Sequence, residues 1–327
     1  MLQKFTALMA SLPLLGAAMV FTPAAAESAY PDKPIRLIVP QPPGGANDNL
    51  ARIVSDRLSP RIKQAVVVDN RPGAGITVGT SIAAKSPADG YTMLMVNSIM
   101  FSASPSLYKN IPYDPVSDFL PVASLGVGSY ALVVAENFPA QNFTEFVKLM
   151  KANPGKYNYS SSGIGSTPHL ITEMLKRAAG FEATHVPYKG GGPSIVALMG
   201  GEISFTTEST STIEPHVRAG KLRVLAVTSS QRLAQYPDVP TVAESGIPGF
   251  EVTALYSLAV PKGTPQAAVD KLGREVASVV SSPEVSKAFD KQGVLAVSLP
   301  ADQVQARTRS EVANWSRIVK EASIKAE

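Results

Sequence analysis

Short apolar runs alternate with longer segments of helical periodicity along most of the chain. The first run, at 35–40, precedes a segment in which Leu50, Val54 and Leu58 fall on one face of a helix. Further apolar runs at 65–69 and 91–96 are each bounded by turn residues such as glycine and proline. This alternation predicts βα units that build a parallel sheet.

The remainder of the chain continues the alternation. Apolar runs at 121–125 and 131–134 predict two short strands that cross between two lobes, and 252–260 predicts a strand that returns to the first lobe. Further predicted strands are 184–187, 203–206, 221–227 and 294–297. Further helices are predicted up to about 85, through 196–199 and 215–218, and at 143–151, 265–280, 283–291 and 301–321.

The turn after the first run has the composition of an anion-binding loop. The prolines at 42–43 end the strand, and the glycines at 44–45 permit a tight turn with positive φ. Asn47 or Asp48 can cap the helix that follows. The first N–H groups of that helix lack intrahelical partners, and the helix dipole is positive at this N-terminus. The expected ligand is therefore a carboxylate or a phosphate. A plain βα loop is the alternative on these residues alone.

Two later stretches place similar chemistry at strand ends. Asn97 and Ser98 follow the run at 91–96, at the carboxyl edge where open parallel sheets bind ligands. The segment 157–170 predicts a strand, a loop rich in hydroxyls and glycine, and a helix, which repeats the chemistry of the first turn. For both stretches a polar loop without ligand is the alternative.

Three charged positions have open interpretations. Asp48 is either a helix cap or an acid that accepts from a ligand or orders a water. Glu208 interrupts a run of hydroxyls at 206–212 and is either a solvated loop residue or a ligand contact. Lys189 precedes three glycines, whereas a P-loop places its lysine after them, so the pattern disfavours a nucleotide site.

Ser166, His169 and Asp48 are the residue types of a Ser-His-Asp triad. The nucleophile-elbow pattern GxSxG is absent from this stretch. His169 lies one helical turn beyond Ser166, where a capping or core role is favoured over that of a general base. The residues therefore disfavour a hydrolase.

The N-terminal segment predicts a secretory signal peptide at 1–26. Lys4 supplies a positive start, 5–21 an apolar core and the alanines at 24–26 a cleavage site. A membrane anchor is disfavoured because the apolar run is short and has no basic flank. We therefore expect a mature protein that is soluble in the periplasm.

Composition excludes several classes of site. The chain has no cysteine, so an exported form cannot use disulfides, thiolate nucleophiles or thiolate metal ligands. Its three histidines are not at the short helical spacing of a zinc site, and we expect no metal and no cofactor. The net charge of +4 is scattered, which suits an acidic solute and disfavours nucleic-acid binding. About 300 mature residues suffice for two lobes.

A set of motifs gives this chain a resemblance to one known family. In order they are PPGGANDNLAR, VVVDNRPGAGITVG, SPADGYTML, LYKNIPYDPVSDFLPVA, NYSSSGIGSTPHL, VPYKGGGPS, AGKLRVLAVTS and PDVPTVAESGIPGFE. The chain resembles the Bug family, the TctC-like extracytoplasmic solute receptors of tripartite tricarboxylate transporters. The resemblance implies an α/β fold of the two-lobed type II periplasmic-binding-protein kind, with a ligand cleft between the lobes. Lobe 1 would comprise 27–129 and 252–327, and lobe 2 would comprise 130–251.

The resemblance also implies a set of ligand-binding residues. In that family, the loops after the first strand of each lobe hold one carboxylate through backbone amides, hydroxyls and water. The two anion-binding loops described above match those positions. The candidate ligand-binding residues are Pro43, Gly44, Gly45, Ala46, Asp48, Asn97, Ser98, Ser161, Ser162, Gly163, Ser166, Thr167, His169, Lys189, Gly190, Glu208 and Tyr256.

The implied function is capture of a small organic carboxylate, such as a di- or tricarboxylate or an aromatic acid, and its delivery to the permease subunits of a tripartite tricarboxylate transporter. The receptor would be a monomer and perform no chemistry. A sensory accessory that feeds a receptor kinase, or a serine hydrolase of small esters or amides, are the alternatives. Ser204 stands where the family usually has an acid, and Leu255 where it often has a tryptophan. The smaller residue at 255 would widen the far end of the pocket, so we expect a larger or partly apolar carboxylate.

Overall fold

The structure is a computed structural model that describes residues 30–321 and residue 324. The signal peptide predicted at 1–26 lies outside the described residues. Among those residues, no helix combines the length and the apolarity needed to cross a membrane. The strands are β1 (Ile35–Val39), β2 (Val66–Asn70), β3 (Thr92–Asn97), β4 (Phe119–Ala135), β5 (Asn158–Ser161), β6 (Thr184–Pro187), β7 (Phe205–Ser209), β8 (Leu222–Val227), β9 (Thr253–Pro261) and β10 (Val294–Ala296). The helices are α1 (Ala46–Ile62), α2 (Thr77–Ala84), α3 (Ser98–Leu107), α4 (Phe143–Ala152), α5 (Thr167–Ala179), α6 (Gly191–Met199), α7 (Thr210–Arg218), α8 (Gln266–Val280), α9 (Pro283–Asp290) and α10 (Ala301–Glu321).

The first lobe is built on a mixed sheet with the strand order β2-β1-β3-β9-β4. β1 runs parallel to β2 and β3, whereas β9 is antiparallel to β3 and to residues 119–129 of β4. β10 pairs antiparallel with β4. The parallel strands β1 and β3 therefore end at the same edge, as their βα units predicted.

The second lobe uses the other end of β4. Residues 130–135 of β4 pair antiparallel with β7 and β8, and β5 runs parallel to β6 and β7. β4 thus belongs to both lobes, and β9 lies beside it where they meet. The residue boundaries predicted for the two lobes stay a prediction.

Residues 119–135 form one continuous strand where the sequence predicted two short ones. The apolar pattern breaks at Gly126 and Gly128, but both glycines are required by close approach. A Cβ atom at Gly126 would lie 2.5 Å from the Leu295 carbonyl oxygen of β10, and one at Gly128 would lie 2.5 Å from Cε2 of Tyr256. The prediction was wrong because pairing partners that are distant in sequence, and not local apolarity, hold this part of β4 extended.

Replacing Gly128 with alanine is expected to lower the free energy of unfolding by about 1–3 kcal/mol, as overpacking does in a filled core. The Tyr256 ring has little freedom to move away because it is fully buried. Gly192→Ala is the matched control, since no atom lies within 4 Å of its Cβ position. Urea unfolding of both variants tests this. Equal stability of the two variants would mean that the ring of Tyr256 relaxes freely.

Two helix starts differ from prediction. Gly45 is the N-cap of α1 and no side chain caps it, so neither Asn47 nor Asp48 has the predicted role. α3 was not predicted at all. Eight of its ten residues are buried, so it lacks the one-sided apolar stripe from which surface helices are recognised. Asn97 caps α3 by accepting a hydrogen bond from the N–H of Met100 at 3.3 Å.

Candidate functional site

All the candidate residues except Tyr256, which lies on β9, are at or just after the carboxyl ends of β1 and β3 in the first lobe and of β5, β6 and β7 in the second. Contacts across the lobes show that these ends face each other. The Tyr108 hydroxyl at the end of α3 donates to the carbonyl of Ile164, 3.5 Å away in the loop after β5. A Cβ atom at Gly165 in that loop would lie 3.1 Å from Leu107. The lobes therefore enclose a cleft, with β4 and β9 at its floor.

The loop before α1 is held in shape by Asp48. Its carboxylate accepts from the N–H of Gly44 at 2.9 Å, from the side-chain amide of Asn70 at 2.9 Å and from Nε of Arg52 at 3.0 Å. Gly44 has a φ of +84°, which favours glycine. Burial acts to raise the pKa of Asp48, but the hydrogen bonds from Arg52, Gly44 and Asn70 outweigh it, and the pKa lies below its ordinary value.

The same loop presents donors without partners. The first intrahelical bond of α1 runs from the N–H of Asn49 to the carbonyl of Gly45, which leaves earlier N–H groups such as that of Ala46 free of helical bonds. The Asn47 side chain is 1% exposed, and neither its amide nitrogen nor its oxygen has a hydrogen-bond partner. Because buried polar groups are rarely left unpaired, this helix start is suited to hold a polar ligand.

In the loop before α5, several hydroxyls bond to the loop itself. The Ser161 hydroxyl lies 3.0 Å from the carbonyl of Gly163 and accepts from its N–H at 3.2 Å, and the Ser166 hydroxyl donates to that carbonyl at 2.6 Å. Thr167, the first residue of α5, differs from them. Its Oγ1 is buried and makes no hydrogen bond of standard geometry, although the Tyr130 hydroxyl lies beside it.

The floor of the cleft is a group of buried phenols and amides. Asn97 is paired with Tyr256 across β3 and β9, and its side-chain amide donates to the Tyr130 hydroxyl at 3.4 Å. Burial raises the pKa of Tyr130 above its ordinary value and that of Tyr256 well above it, so both phenols stay neutral donors. Tyr130 was missed by the sequence prediction because it continues an apolar run and nothing local marks its hydroxyl.

Glu208 is the last residue but one of β7 and lies beside this floor, which excludes the solvated-loop interpretation. The side chain is 5% exposed, its Oε1 accepts from the N–H of Ser209 at 2.8 Å, and its Oε2 has no partner. A Cβ atom at Gly191, the first residue of α6, would lie 3.2 Å from Oε2. Burial raises the pKa of Glu208 to about 7.

The other candidates have more peripheral positions. Pro43 and Lys189 are exposed, and Gly190 is the N-cap of α6 with a φ of +119°. Ser162 is half-buried. The Ser98 hydroxyl accepts from the N–H of Leu255 at 3.1 Å, which fastens β9 to the start of α3.

Comparison with known proteins identifies the family. Residues 50–324 match the model of the tripartite tricarboxylate transporter family receptor, TctC. The chain belongs to this receptor family. BugT of Bordetella pertussis is 36% identical over 312 residues, which cover 95% of each chain. The solved periplasmic binding protein BugD is 33% identical, with a TM-score of 0.83 and coverage of 90% of this chain and 100% of BugD. The R. palustris protein Rpa4515, solved with adipate, is 32% identical, with a TM-score of 0.85 and coverage of 90% and 99%.

Membership of the TctC family confirms the predicted two-lobed α/β periplasmic-binding-protein fold and the prediction of a receptor in place of an enzyme. The hydrogen bonds agree, since the hydroxyl of Ser166 is directed at Gly163 and not at His169. Nδ1 of His169 instead accepts from the N–H of Gly165 at 3.0 Å.

The two departures from the family pattern lie in different places. Ser204 bonds to Asn158 at the amino ends of β7 and β5, away from the edge where the candidate residues lie. Leu255 is adjacent to Tyr256 on β9, so the two side chains point to opposite faces of the strand. The effect of Leu255 on ligand size stays a prediction.

Proposed function

We propose that this TctC-family receptor is periplasmic, binds a small organic carboxylate in the cleft and delivers it to the permease of a tripartite tricarboxylate transporter. The observation that carries the proposal is that α1 and α5, one from each lobe, both begin at the carboxyl ends of strands that line the cleft. Each of them includes a buried polar side chain, Asn47 or Thr167, that lacks a hydrogen bond of standard geometry.

The chemistry of these donors suits a carboxylate. Backbone N–H groups at a helix start carry partial positive charge, and hydrogen bonds to an ionised group contribute about 1.5–3 kcal/mol each. Three or four such bonds at one carboxylate, with water excluded by lobe closure, are consistent with micromolar or tighter binding. Neutral Tyr130 and Tyr256 add donors without adding a charge to repel the ligand.

Relatives support the ligand class and the location. Rpa4515 has been solved with adipate, and BugD is a periplasmic binding protein. The signal peptide predicted at 1–26 agrees with export. The transporter partner is inferred from the family description. Cross-linking of the exported receptor in its native membrane, with and without carboxylate, tests that partner.

Thermal unfolding of the mature protein against mono-, di- and tricarboxylates, aromatic acids and amino acids tests the proposal, because a ligand of the native state raises the midpoint by mass action. We expect a shift with at least one carboxylate and none with its neutral amide. The protein should first be unfolded, dialysed and refolded, and checked by native mass spectrometry for bound ligand. No shift from any carboxylate on ligand-free protein would overturn the proposal.

Thr167→Val is expected to weaken carboxylate binding about 10–100-fold, because the hydroxyl is a buried group that a ligand would pair. The free energy of unfolding without ligand should stay the same or rise, since the variant removes an unpaired buried hydroxyl. Thr184→Val, at an exposed position of β6, is the matched control. Isothermal titration and urea unfolding separate the two effects. Unchanged affinity would exclude Thr167 Oγ1 from the ligand contacts.

A further inference from the structure

Three rings from three elements of the second lobe form a stack behind the loop 161–166. The Tyr159 ring of β5 lies 4.8 Å from that of His185 of β6, at an interplanar angle of 20°. The His185 ring lies 3.9 Å from that of His169 of α5, at only 8°. The hydroxyl of Tyr159 donates to Glu173 at 2.5 Å, which fixes the outer end of the stack.

Both imidazoles hold the loop, one at each end. Nε2 of His185 lies 2.7 Å from the Ser161 hydroxyl, where β5 enters the loop. Nδ1 of His169 accepts the N–H of Gly165 at 3.0 Å, where the loop enters α5. The stacked pair therefore links the two ends of the loop.

The contact with Gly165 fixes the protonation state of His169. An N–H donor requires a bare Nδ1, so the ring proton must be on Nε2. Burial lowers the pKa of His169 to about 4 and that of His185 to about 3. The charged groups that face the stack are Glu173, which favours the protonated form of His169, and Lys176, which opposes protonation of both rings. Lys176 pairs with Glu173 at 2.8 Å and lies 5.4 Å from the Tyr159 ring.

We propose that His169 and His185 are positioning residues for the ligand-binding loop of the second lobe, and that they hold it only as a neutral, stacked pair. Protonation of His169 at Nδ1 would place two donors, Nδ1–H and the N–H of Gly165, opposite each other and break this hydrogen bond. If both rings were charged, they would repel each other across 3.9 Å. The loop is then released at both ends, and the start of α5 loses the geometry that presents Thr167. This role rests on the proposed function only for its effect on ligand affinity.

Nuclear magnetic resonance of the ¹⁵N-labelled, ligand-free protein tests the positioning role without any ligand. We expect His169 in the Nε2–H tautomer at pH 7, and the Gly163 and Gly165 amide shifts to titrate together with that ring as the pH falls through about 4. His169→Asn should abolish this titration while it keeps an acceptor near Gly165. An Nδ1–H tautomer of His169, or Gly163 and Gly165 amide shifts that do not change as the ring titrates, would overturn the proposal.

Affinity for adipate at pH 7 supplies the second readout. His169→Leu removes the acceptor and should weaken adipate binding about tenfold or more, whereas His169→Asn should stay within about threefold of wild type. At position 185, His185→Leu removes the hydrogen bond to the Ser161 hydroxyl and should weaken adipate binding likewise. His185→Gln can keep that bond and should stay near wild type. His216→Asn, at the third histidine, on α7, is the matched control. Equal losses for the Leu and Asn variants at 169 would leave only a packing role and overturn the proposal.

The two readouts separate this inference from the function on which it rests. A wild-type protein that fails to bind adipate, but shows the coupled titration of ring and loop, would support the positioning role and redirect the search for the ligand. Adipate binding that is unaffected by His169→Leu and His185→Leu would support the receptor function and overturn the positioning role.

Discussion

Replacing Asp48 with alanine is expected to lower carboxylate affinity by about 10–100-fold and the free energy of unfolding by about 2–4 kcal/mol. The buried carboxylate gathers the N–H of Gly44, the amide of Asn70 and the guanidinium of Arg52. Without it, the Gly44 N–H and the Asn70 amide lose the acceptor that shapes the loop. Arg52 is half exposed and contributes little by its charge.

The control for Asp48→Ala is Asp56→Ala, which removes the same charge from an exposed position on the same helix. Isothermal titration and urea unfolding at pH 7 measure both effects. If Asp48→Ala lowered affinity no more than Asp56→Ala, the shape of this loop would be irrelevant to binding. If it lowered stability without affinity, Asp48 would serve the fold alone.

The pH dependence of this effect follows from the lowered pKa of Asp48. Because the native state binds a proton less readily than the unfolded chain, the stabilisation is present above the ordinary value of 3.8 and is lost as the pH falls through the lower native pKa. The stability difference between wild type and Asp48→Asn should therefore shrink in acid.

The parallel units of the fold were predictable because their signals are local. A β-branched run, a glycine turn and a helical stripe occur within 20 residues of one another, and β1, α1 and β2 were found close to their predicted bounds. The Pro-Pro-Gly-Gly turn and the hydroxyl-rich loop could be recognised as helix starts for the same reason. Both indeed precede helices that begin at the carboxyl ends of strands.

What the sequence did not reveal depends on pairs of residues far apart in the chain. In the sequence, Gly128 indicates a strand break, and only the fold shows that the ring of Tyr256 packs against it and requires a glycine. In the sequence, Tyr130 is typical of an apolar core position, and only the fold shows that its hydroxyl accepts a hydrogen bond from Asn97. His185 shows no local signal at all, since its role requires Ser161 and His169 from two other elements. Periodicity detects burial, but it does not detect which buried polar groups meet.

Replacing Glu208 with glutamine is expected to raise the free energy of unfolding above pH 7 by roughly 3 kcal/mol. Burial raises the pKa of Glu208 from 4.5 to about 7, and its Oε2 has no partner that would favour the charge. In the unfolded chain the group ionises near 4.5, whereas the native state resists ionisation up to about 7. The native state is therefore destabilised progressively as the pH rises through this window, and the loss is complete above it.

Glutamine keeps the shape of Glu208 but cannot ionise, so the variant should lack this dependence on pH. His169 and His185 also titrate differently in the native and unfolded states, in the opposite sense, because burial lowers their pKa values. The wild-type curve alone therefore mixes these effects, and the test is the stability difference between Glu208→Gln and wild type, measured by urea unfolding from pH 4 to 8. That difference should be small near pH 4 and grow between about 4.5 and 7.

Glu202→Gln removes the same charge from an exposed site of the second lobe and should give a flat difference. A flat difference for Glu208→Gln as well would mean that the carboxylate is stabilised in the native cleft, so that the site holds a charged acid.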